Sequence, residues 1–319
     1  MLFFWWSGIR IGWVSGRHKK CGSTPVSLIS ACLCGVGLGL PCISDGSTSI
    51  DTCQAPAADS HLTIAYYDQE KSSFESGQGL VDRVNYNSDV LFRSDNDWSI
   101  GFGHRVTNLD VEGLDLQTNG YLHTFFLPVH KVHHSEGKSF RISLAPALSA
   151  SSNVAKDPGE YTRNAFQLMA AIVWSRQISD RLDLSYGICG DYRLGGFQVY
   201  PMFGFKWQPD PDWKIEIGFP ASQLSYELSN TVSSWLRVSP DGNEWFVKDR
   251  SLEKDSKLIY EAYVIELVFN WRFSQHFTIS GSVGSEFDAR YEATLLDDSR
   301  VRVHSDSAAR VGVALAWLF

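Results

Sequence analysis

The sequence is poor in the features that mark disulfide-stabilised domains and metalloenzymes. Five of its six cysteines lie within the first 53 residues, which leaves Cys189 alone in the rest of the chain. A single thiol builds no disulfide framework, and without a CxxC pair and a histidine partner it predicts no metal site and no cofactor. The five early cysteines are Cys21, Cys32, Cys34, Cys42 and Cys53.

Positive charge is also scarce. The 28 Lys and Arg residues are outnumbered by 36 Asp and Glu residues, which gives a formal net charge of −8 at pH 7. Proteins that bind nucleic acids neutralise phosphates with clustered Lys and Arg, so we expect no nucleic-acid partner. A convincing amphipathic helix is also missing beyond about residue 60, which disfavours a helical fold.

Aromatic residues and glycine are abundant instead, with 11 Trp, 19 Phe and 26 Gly. Combined with a charged fraction of 20%, this composition is typical of a β-barrel that has an apolar outer surface and a wet lumen. A chain of 319 residues is long enough to form such a barrel as one domain.

The first 57 residues have the pattern of a secretory signal. The basic cluster 17–20 precedes an apolar run over 25–43, and small polar residues follow. We therefore predict a signal and processing region over 1–57 and a barrel over 58–319, with cleavage after Ser44 or after Ala57. A lipoprotein cleavage site at Cys32 and a retained membrane anchor are the alternatives.

The last nine residues form the clearest strand pattern. Large apolar side chains occupy every second position from Val311 to Phe319, with smaller residues between most of them. Such a period places them on one face of a strand. The segment resembles the closing strand of bacterial outer-membrane barrels, whose terminal Phe is read by the barrel assembly machinery. The resemblance implies that this machinery is a partner.

Short polar turns bracketed by aromatic residues recur along the chain. Trp207 and Trp213 flank one of them, and Trp271 and Phe277 flank another. Aromatic rings favour the headgroup level of a membrane, so the brackets predict one aromatic girdle. We assign to it Trp98, Trp174, Trp207, Trp213, Trp271, Trp317 and Phe319.

Counting alternating segments gives twelve strands, with a range of ten to fourteen, in a closed antiparallel transmembrane β-barrel. In this count residues 213–227 form one strand, and 228–256 and 288–306 are long extracellular loops. Two strand-like pieces within 228–256 could pair as a separate hairpin, which would raise the number to fourteen.

The segment 203–220 resembles the characteristic hairpin of an uncharacterised family of proteobacterial outer-membrane barrels. It contains a strand, a Trp-x-Pro-x-Pro-x-Trp turn and a second strand that ends in Phe-Pro, and Tyr226 follows. The resemblance covers about residues 60–319. It implies the fold and an outer-membrane location in a Gram-negative bacterium, and it implies no activity or site residue.

Charged residues alternate with the apolar face and are predicted to line the lumen. In a narrow barrel they either satisfy one another as ion pairs or set the selectivity of a channel for a small solute or ion. The predicted lumen residues are Arg83, Arg105, Arg141, Asp183, Lys206, Glu216, Glu266, Arg272, Glu286 and Arg310.

We expect a narrow channel or passive pore, surrounded by outer-membrane lipids. The alternative is a structural or surface-interaction barrel that acts through its extracellular loops. A lipid-modifying enzyme is less favoured, because the sequence has no G-x-S-x-G elbow. His104 and His123 fall on or near strands but show no paired Ser/His spacing, so no catalytic residue and no enzymatic activity are predicted.

Overall fold

The structure, a computed structural model, describes residues 52–54, 59–75, 77, 79–112, 120–156, 163–249, 254–294 and 299–319. The predicted signal region therefore lies outside the described residues, apart from 52–54. Its boundary with the barrel stays a prediction. No helix in the described ranges is long and apolar enough to cross a membrane.

Within the described residues the chain forms sixteen strands and the short helix α1, Ser152–Ala155. The strands are β1 His61–Ser73, β2 Leu80–Arg93, β3 Trp98–Glu112, β4 Tyr121–Phe126, β5 Val129–Ser135, β6 Lys138–Ser151, β7 Phe166–Ser179, β8 Leu182–Asp191, β9 Gln198–Trp207, β10 Trp213–Phe219, β11 Ser222–Ser229, β12 Val232–Asp249, β13 Lys254–Arg272, β14 Phe277–Thr294, β15 Arg300–Ser305 and β16 Ala308–Leu318.

The strands form a closed antiparallel β-barrel, which confirms the predicted fold class. β1 pairs with β2 on one side and with β16 on the other. β16 pairs with β14, β14 pairs with β13, and the ladder returns through the intervening strands to β2. We call the end where β1 begins and β16 finishes the near rim, and the opposite end the far half.

At two places in the barrel wall, two consecutive strands together take the position of one full-length strand. β4 and β5 both lie between β3 and β6, and they are interrupted at Pro128, whose nitrogen has no hydrogen to donate to a ladder. β15 and β16 both pair with β14. When each of these two pairs is counted as one, the sixteen described strands correspond to fourteen positions in the wall. This is the upper end of the predicted range rather than twelve.

The difference from twelve arises at Pro220. Residues 213–227 are not one strand, because β10 and β11 form a short hairpin that turns at Pro220 and Ala221. The Ser222 hydroxyl closes this turn by accepting from the Gly218 N–H and donating to the Gly218 carbonyl, both at 3.1 Å.

This reversal corrects the prediction that 228–256 is an extracellular loop. After the hairpin the chain forms another strand of the wall, β12, which pairs with both β11 and β13. Most of the predicted loop 288–306 is also strand, since β14 extends to Thr294 and β15 begins at Arg300.

The part of β12 that lies in the far half crosses the lumen. β12 is 18 residues long, and its ladder with the 8-residue β11 ends at Val238. Beyond that point Phe246 pairs with Ala150 of β6, in parallel. The far half is therefore closed by β12 against β6, and β7 to β11 lie to one side of this closure.

An apolar cluster fills the far half between β12 and the opposite wall. The Trp245 indole N–H donates to the Thr124 hydroxyl at 3.2 Å, and the Asn243 amide donates to the same hydroxyl at 2.7 Å. These bonds join β12 to β4 across the interior. The buried members are Phe74, Val81, Leu109, Leu122, Trp245, Val247, Leu258, Tyr260, Ala262, Ala289, Tyr291 and Ala293.

Replacing Trp245 with alanine should destabilise the barrel by about 3–5 kcal/mol, because it removes a buried ring from the cluster. The matched variant Trp245→Phe keeps a ring and loses the hydrogen bond to Thr124, so it should cost only about 1–2 kcal/mol. Urea unfolding of the refolded barrel, followed by gel mobility of unheated samples, measures both. An alanine variant as stable as the parent would contradict this packing role.

Candidate functional site

The lumen of the barrel is the candidate site, and the strand period decides which side chains enter it. On β9, Val199, Phe203 and Phe205 are exposed on the outer surface, whereas Tyr200 and Lys206 point inward. The ten predicted lumen residues all lie on strands. Most of them belong to a row of charges that runs across the sheet or to a cluster around Asp241 and Glu286.

The strand register aligns many of these charges in a single row. Asp183 of β8 lies opposite Lys206 of β9, and Lys206 lies opposite Glu216 of β10. Neighbours of opposite sign attract each other across a sheet. We call this the charged row; it continues from Glu216 through Gln223, Arg237, Glu266, Gly284, Arg310, Gln69 and Arg83.

Three arginines surround Asp241 in the centre of the barrel. Its carboxylate lies 3.1 Å from Arg310 Nη1 and 3.6 Å from both Arg83 Nη2 and Arg105 Nη1. Asp241 is not among the predicted lumen residues, because it lies in the segment 228–256 that was predicted to be a loop. The signal that could have found it is the period-two series of polar residues, Arg237, Ser239, Asp241 and Asn243, on β12.

Glu286 balances the same group from the opposite side. Its carboxylate pairs with the Arg83 guanidinium and accepts from the Tyr260 hydroxyl at 2.5 Å and from the Gln69 amide at 3.2 Å. The Arg83 guanidinium also lies 4.0 Å from the centre of the Tyr260 ring. Because these buried charges satisfy one another, the ion-pair interpretation holds for this part of the lumen.

Replacing Asp241 with alanine should destabilise the barrel by roughly 3–5 kcal/mol, because it leaves three lumen arginines without their shared partner. The control Glu112→Ala removes a carboxylate that is 54% exposed and pairs with the exposed Lys71, so it should cost at most about 1 kcal/mol. Urea unfolding compares the two variants. Equal midpoints would contradict the central role of Asp241.

The charged row is open to solvent in one sector. Asp183, Lys206 and Glu216 are partly exposed, as is Lys214, whose ammonium lies 2.8 Å from the Glu216 carboxylate. In contrast, Arg237, Glu266, Glu286 and Arg83 are buried. The accessible part of the lumen therefore lies against β8, β9 and β10.

A disulfide joins Cys53 to Cys189, with their Cα atoms 5.7 Å apart. The prediction that Cys189 stands alone is therefore wrong: residues 52–54 fold back into the barrel, and sequence spacing carries no sign of that contact. Both cysteines are buried. Since the sulfurs are bonded to each other, they offer no thiolate to a metal, although Asp191 lies beside them.

Polar side chains hold this disulfide in the lumen. The Arg141 guanidinium donates to the Cys53 carbonyl at 2.8 Å. The Asp191 carboxylate accepts from the Tyr200 hydroxyl at 2.8 Å and from Arg193 Nε at 2.7 Å. Arg141 was predicted to line the lumen, and its contact with the segment 52–54 was not. Arg272 ends β13 at the near rim and is half-buried there.

We expect the mature chain to retain Cys53, because the disulfide joins it to the wall. Of the two predicted cleavage points, only the one after Ser44 leaves Cys53 in place. Peptide mass spectrometry of the protein purified from membranes without reductant should find the linked Cys53 and Cys189 peptides. A mature terminus after Ala57 would contradict the assignment.

The predicted girdle residues are exposed on the outer surface around the near rim. Their rings form a chain of contacts in which Phe319 lies 5.7 Å from Phe92 and 5.1 Å from Trp317, measured between ring centroids. Trp317 continues the chain to Phe277 at 6.3 Å. Trp98, Trp174, Trp207, Trp213 and Trp271 are exposed on β3, β7, β9, β10 and β13.

Comparison with known proteins gives a family and similar folds. Residues 133–297 match the family described as Domain of unknown function (DUF6268). An outer membrane channel from Pseudomonas putida F1 is similar over 84% of this chain and 98% of that chain, with 7% identity and a TM-score of 0.47. The KdgM porin is similar over 81% and 99%, with 10% identity and a TM-score of 0.35.

The toluene transporter TodX of Pseudomonas putida is similar over 83% of this chain and 91% of that chain, with 11% identity and a TM-score of 0.37. At such identities the likeness concerns the fold alone. No curated protein sequence matches the chain.

Proposed function

We propose that this chain, which belongs to the family described as Domain of unknown function (DUF6268), is a narrow channel of the Gram-negative outer membrane. The apolar outer surface and the rim of aromatic rings support a position among outer-membrane lipids. The proposed orientation places the near rim in the periplasm, and the C-terminal segment 311–319, which ends β16, is the segment read by the assembly machinery.

The observation that carries the channel proposal is the change in exposure along the charged row. The lumen charges are accessible on β8 to β10 and buried on β12 to β14 and β2. The barrel axis is occupied by side chains in the far half. The proposed path therefore runs along the sector of β8 to β11 rather than along the axis.

The β10–β11 hairpin is short, so the barrel wall is lower there than at the neighbouring strands. The proposed path passes the filled far half at this point. The ladder between β9 and β10 ends at the pair of Phe203 and Phe219, while β9 extends a further five residues to Gln198. Two cations, Lys206 and Lys214, face two anions, Asp183 and Glu216. The balance of sign predicts weak selectivity for small ions.

Replacing Lys206 and Lys214 with glutamine should shift the channel toward cations by roughly a few-fold, because Asp183 and Glu216 then act without a counter-charge. Single-channel currents and reversal potentials in a salt gradient measure this in planar bilayers. The control Lys71→Gln removes an exposed charge that does not belong to the charged row and should leave selectivity unchanged. A double variant with the selectivity of the parent would contradict the path.

A structural or surface-interaction barrel is the second candidate, favoured by the filled far half. The two functions differ in one measurement. A refolded barrel that keeps its compact gel mobility but passes no discrete current would support the structural role and overturn the channel.

A further inference from the structure

His104, His123 and Ser152 form a hydrogen-bonded chain outside the lumen. The Ser152 Oγ lies 2.9 Å from His123 Nε2, and His123 Nδ1 lies 3.1 Å from His104 Nε2. The Ser152 hydroxyl has one proton and two acceptors within reach, His123 Nε2 and the Tyr121 carbonyl at 3.3 Å. When that proton points to His123 and His123 carries its own proton on Nδ1, the serine hydroxyl donates to His123 and His123 donates to His104. This is the relation of nucleophile, general base and orienting acceptor found in serine hydrolases.

Three separate elements bring these residues together, which explains why sequence spacing did not show them. His104 lies on β3, His123 on β4, and Ser152 begins α1 directly after β6. They are 19 and 29 residues apart along the chain. The ladder pairs His123 with Val106 of β3 and with Ala150 of β6, so neighbouring strands fix its position.

Phe125 fixes the orientation of the two imidazoles. Its ring is stacked on that of His104, with centroids 4.1 Å apart and planes 7° apart. The rings of His104 and His123 are 14° from parallel. An imidazole that is held in place by stacking is pre-organised for proton transfer.

The chain of three residues faces away from the lumen. Arg105 and Thr107 of β3 point inward, Arg105 to Asp241 and Thr107 to Asn85, so the alternating position His104 points outward. The outward series on β3 begins with the exposed apolar residues Trp98, Ile100 and Phe102. It becomes polar after Val106, at Asn108 and Asp110.

His104 therefore lies near the boundary between the apolar belt and the polar outer surface, at the end opposite the aromatic rim. The ester groups of membrane lipids occupy this level of a bilayer. Ser152 and His123 are partly exposed there. Lys156, which is exposed and ends α1 with its N–H on the Ser152 carbonyl at 3.2 Å, adds a cation for an anionic headgroup.

We propose that Ser152, His123 and His104 form a lipid-facing esterase site whose substrates are acyl esters of membrane lipids. Ser152 Oγ attacks the ester carbonyl carbon, and its proton passes to His123 Nε2. The bond from that carbon to the alcohol oxygen breaks, and His123 returns the proton to the leaving alcohol. Water then cleaves the acyl-serine by the reverse proton route, which releases a fatty acid and a deacylated lipid.

Ser152 and His123 are the catalytic residues in this proposal, and His104 is a positioning residue that acts through His123. The assignment goes against the sequence-based expectation that the chain has no enzymatic activity. It is independent of the channel, since the site lies on the opposite face of the wall from the charged row.

The test uses the refolded full barrel in mixed micelles, with phosphatidylethanolamine in one arm and lipopolysaccharide in the other. We expect release of fatty acid from at least one of them, and the arm that reacts identifies the source of the ester. Ser152→Ala and His123→Asn should each lower the rate at least about 100-fold. The matched control Ser88→Ala, an exposed serine opposite His104 on β2, should keep full activity.

A fluorophosphonate probe gives a second readout that a structural role would not produce. It should label the Ser152 peptide of the parent and of Ser88→Ala, and it should fail to label His123→Asn. Compact gel mobility of each unheated variant establishes folding. A folded parent barrel that releases no fatty acid in either arm and carries no label on Ser152 would overturn the proposal, as would undiminished turnover by Ser152→Ala.

His104 is tested by a pair of variants. His104→Phe keeps the stack on Phe125 and removes the acceptor for His123, so kcat should fall at least about tenfold with KM unchanged. His104→Glu restores an acceptor and should recover most of that loss. Equal kcat in the two variants would remove His104 from the site and leave Ser152 and His123 alone.

Discussion

In hydrocarbon, every backbone N–H and C=O of the wall must find its partner within the protein, and the form of this barrel depends on how that requirement is met. Most strands satisfy it with two full-length neighbours. The hairpin of β10 and β11 is too short to do so for β12. The outer part of β12 therefore crosses the interior and pairs with β6 at Phe246 and Ala150. One short hairpin thereby determines that the far half is narrow and filled.

The charges of the lumen follow from the same crossing. β12 carries Asp241 to the centre of the barrel, where Arg83, Arg105 and Arg310 gather around it. Without that carboxylate, three guanidinium groups would share a space of low dielectric with too few partners. The sector of β8 to β10 lies away from the crossing, and its charges keep their contact with solvent. The barrel thus has a sealed part and an accessible part within one lumen.

The alternation of side chains across the wall separates two chemistries on the same strand. On β3, Arg105 enters the ion-pair network inside, while His104 joins His123 and Ser152 outside. A channel needs the inner face, and an esterase acting on membrane lipids needs the outer face. The two sites share the hydrogen-bonded ladder as a rigid support and share no side chain. Both roles are therefore compatible with one fold.

Local patterns in the sequence were sufficient for the fold class and the antiparallel order of the strands. The physical reason is that a period of two decides the face of a strand without reference to its neighbours. The hairpin at Pro220 was harder to recognise, because residues on both sides of it continue to alternate. Because this turn was not recognised, β12 was predicted to be a loop, and Asp241 was not predicted to line the lumen.

Tertiary structure alone decided which inward and outward residues meet. The charged row depends on the register of β8 to β14, β16, β1 and β2. The disulfide depends on residues 52–54 folding back to Cys189. The hydrogen bonds among Ser152, His123 and His104 depend on β3, β4 and β6 lying side by side. The sequence determined each residue's face, because that is a local property of an extended chain. Closure of the barrel determined the partners, because contacts between distant segments exist only once the ring is formed.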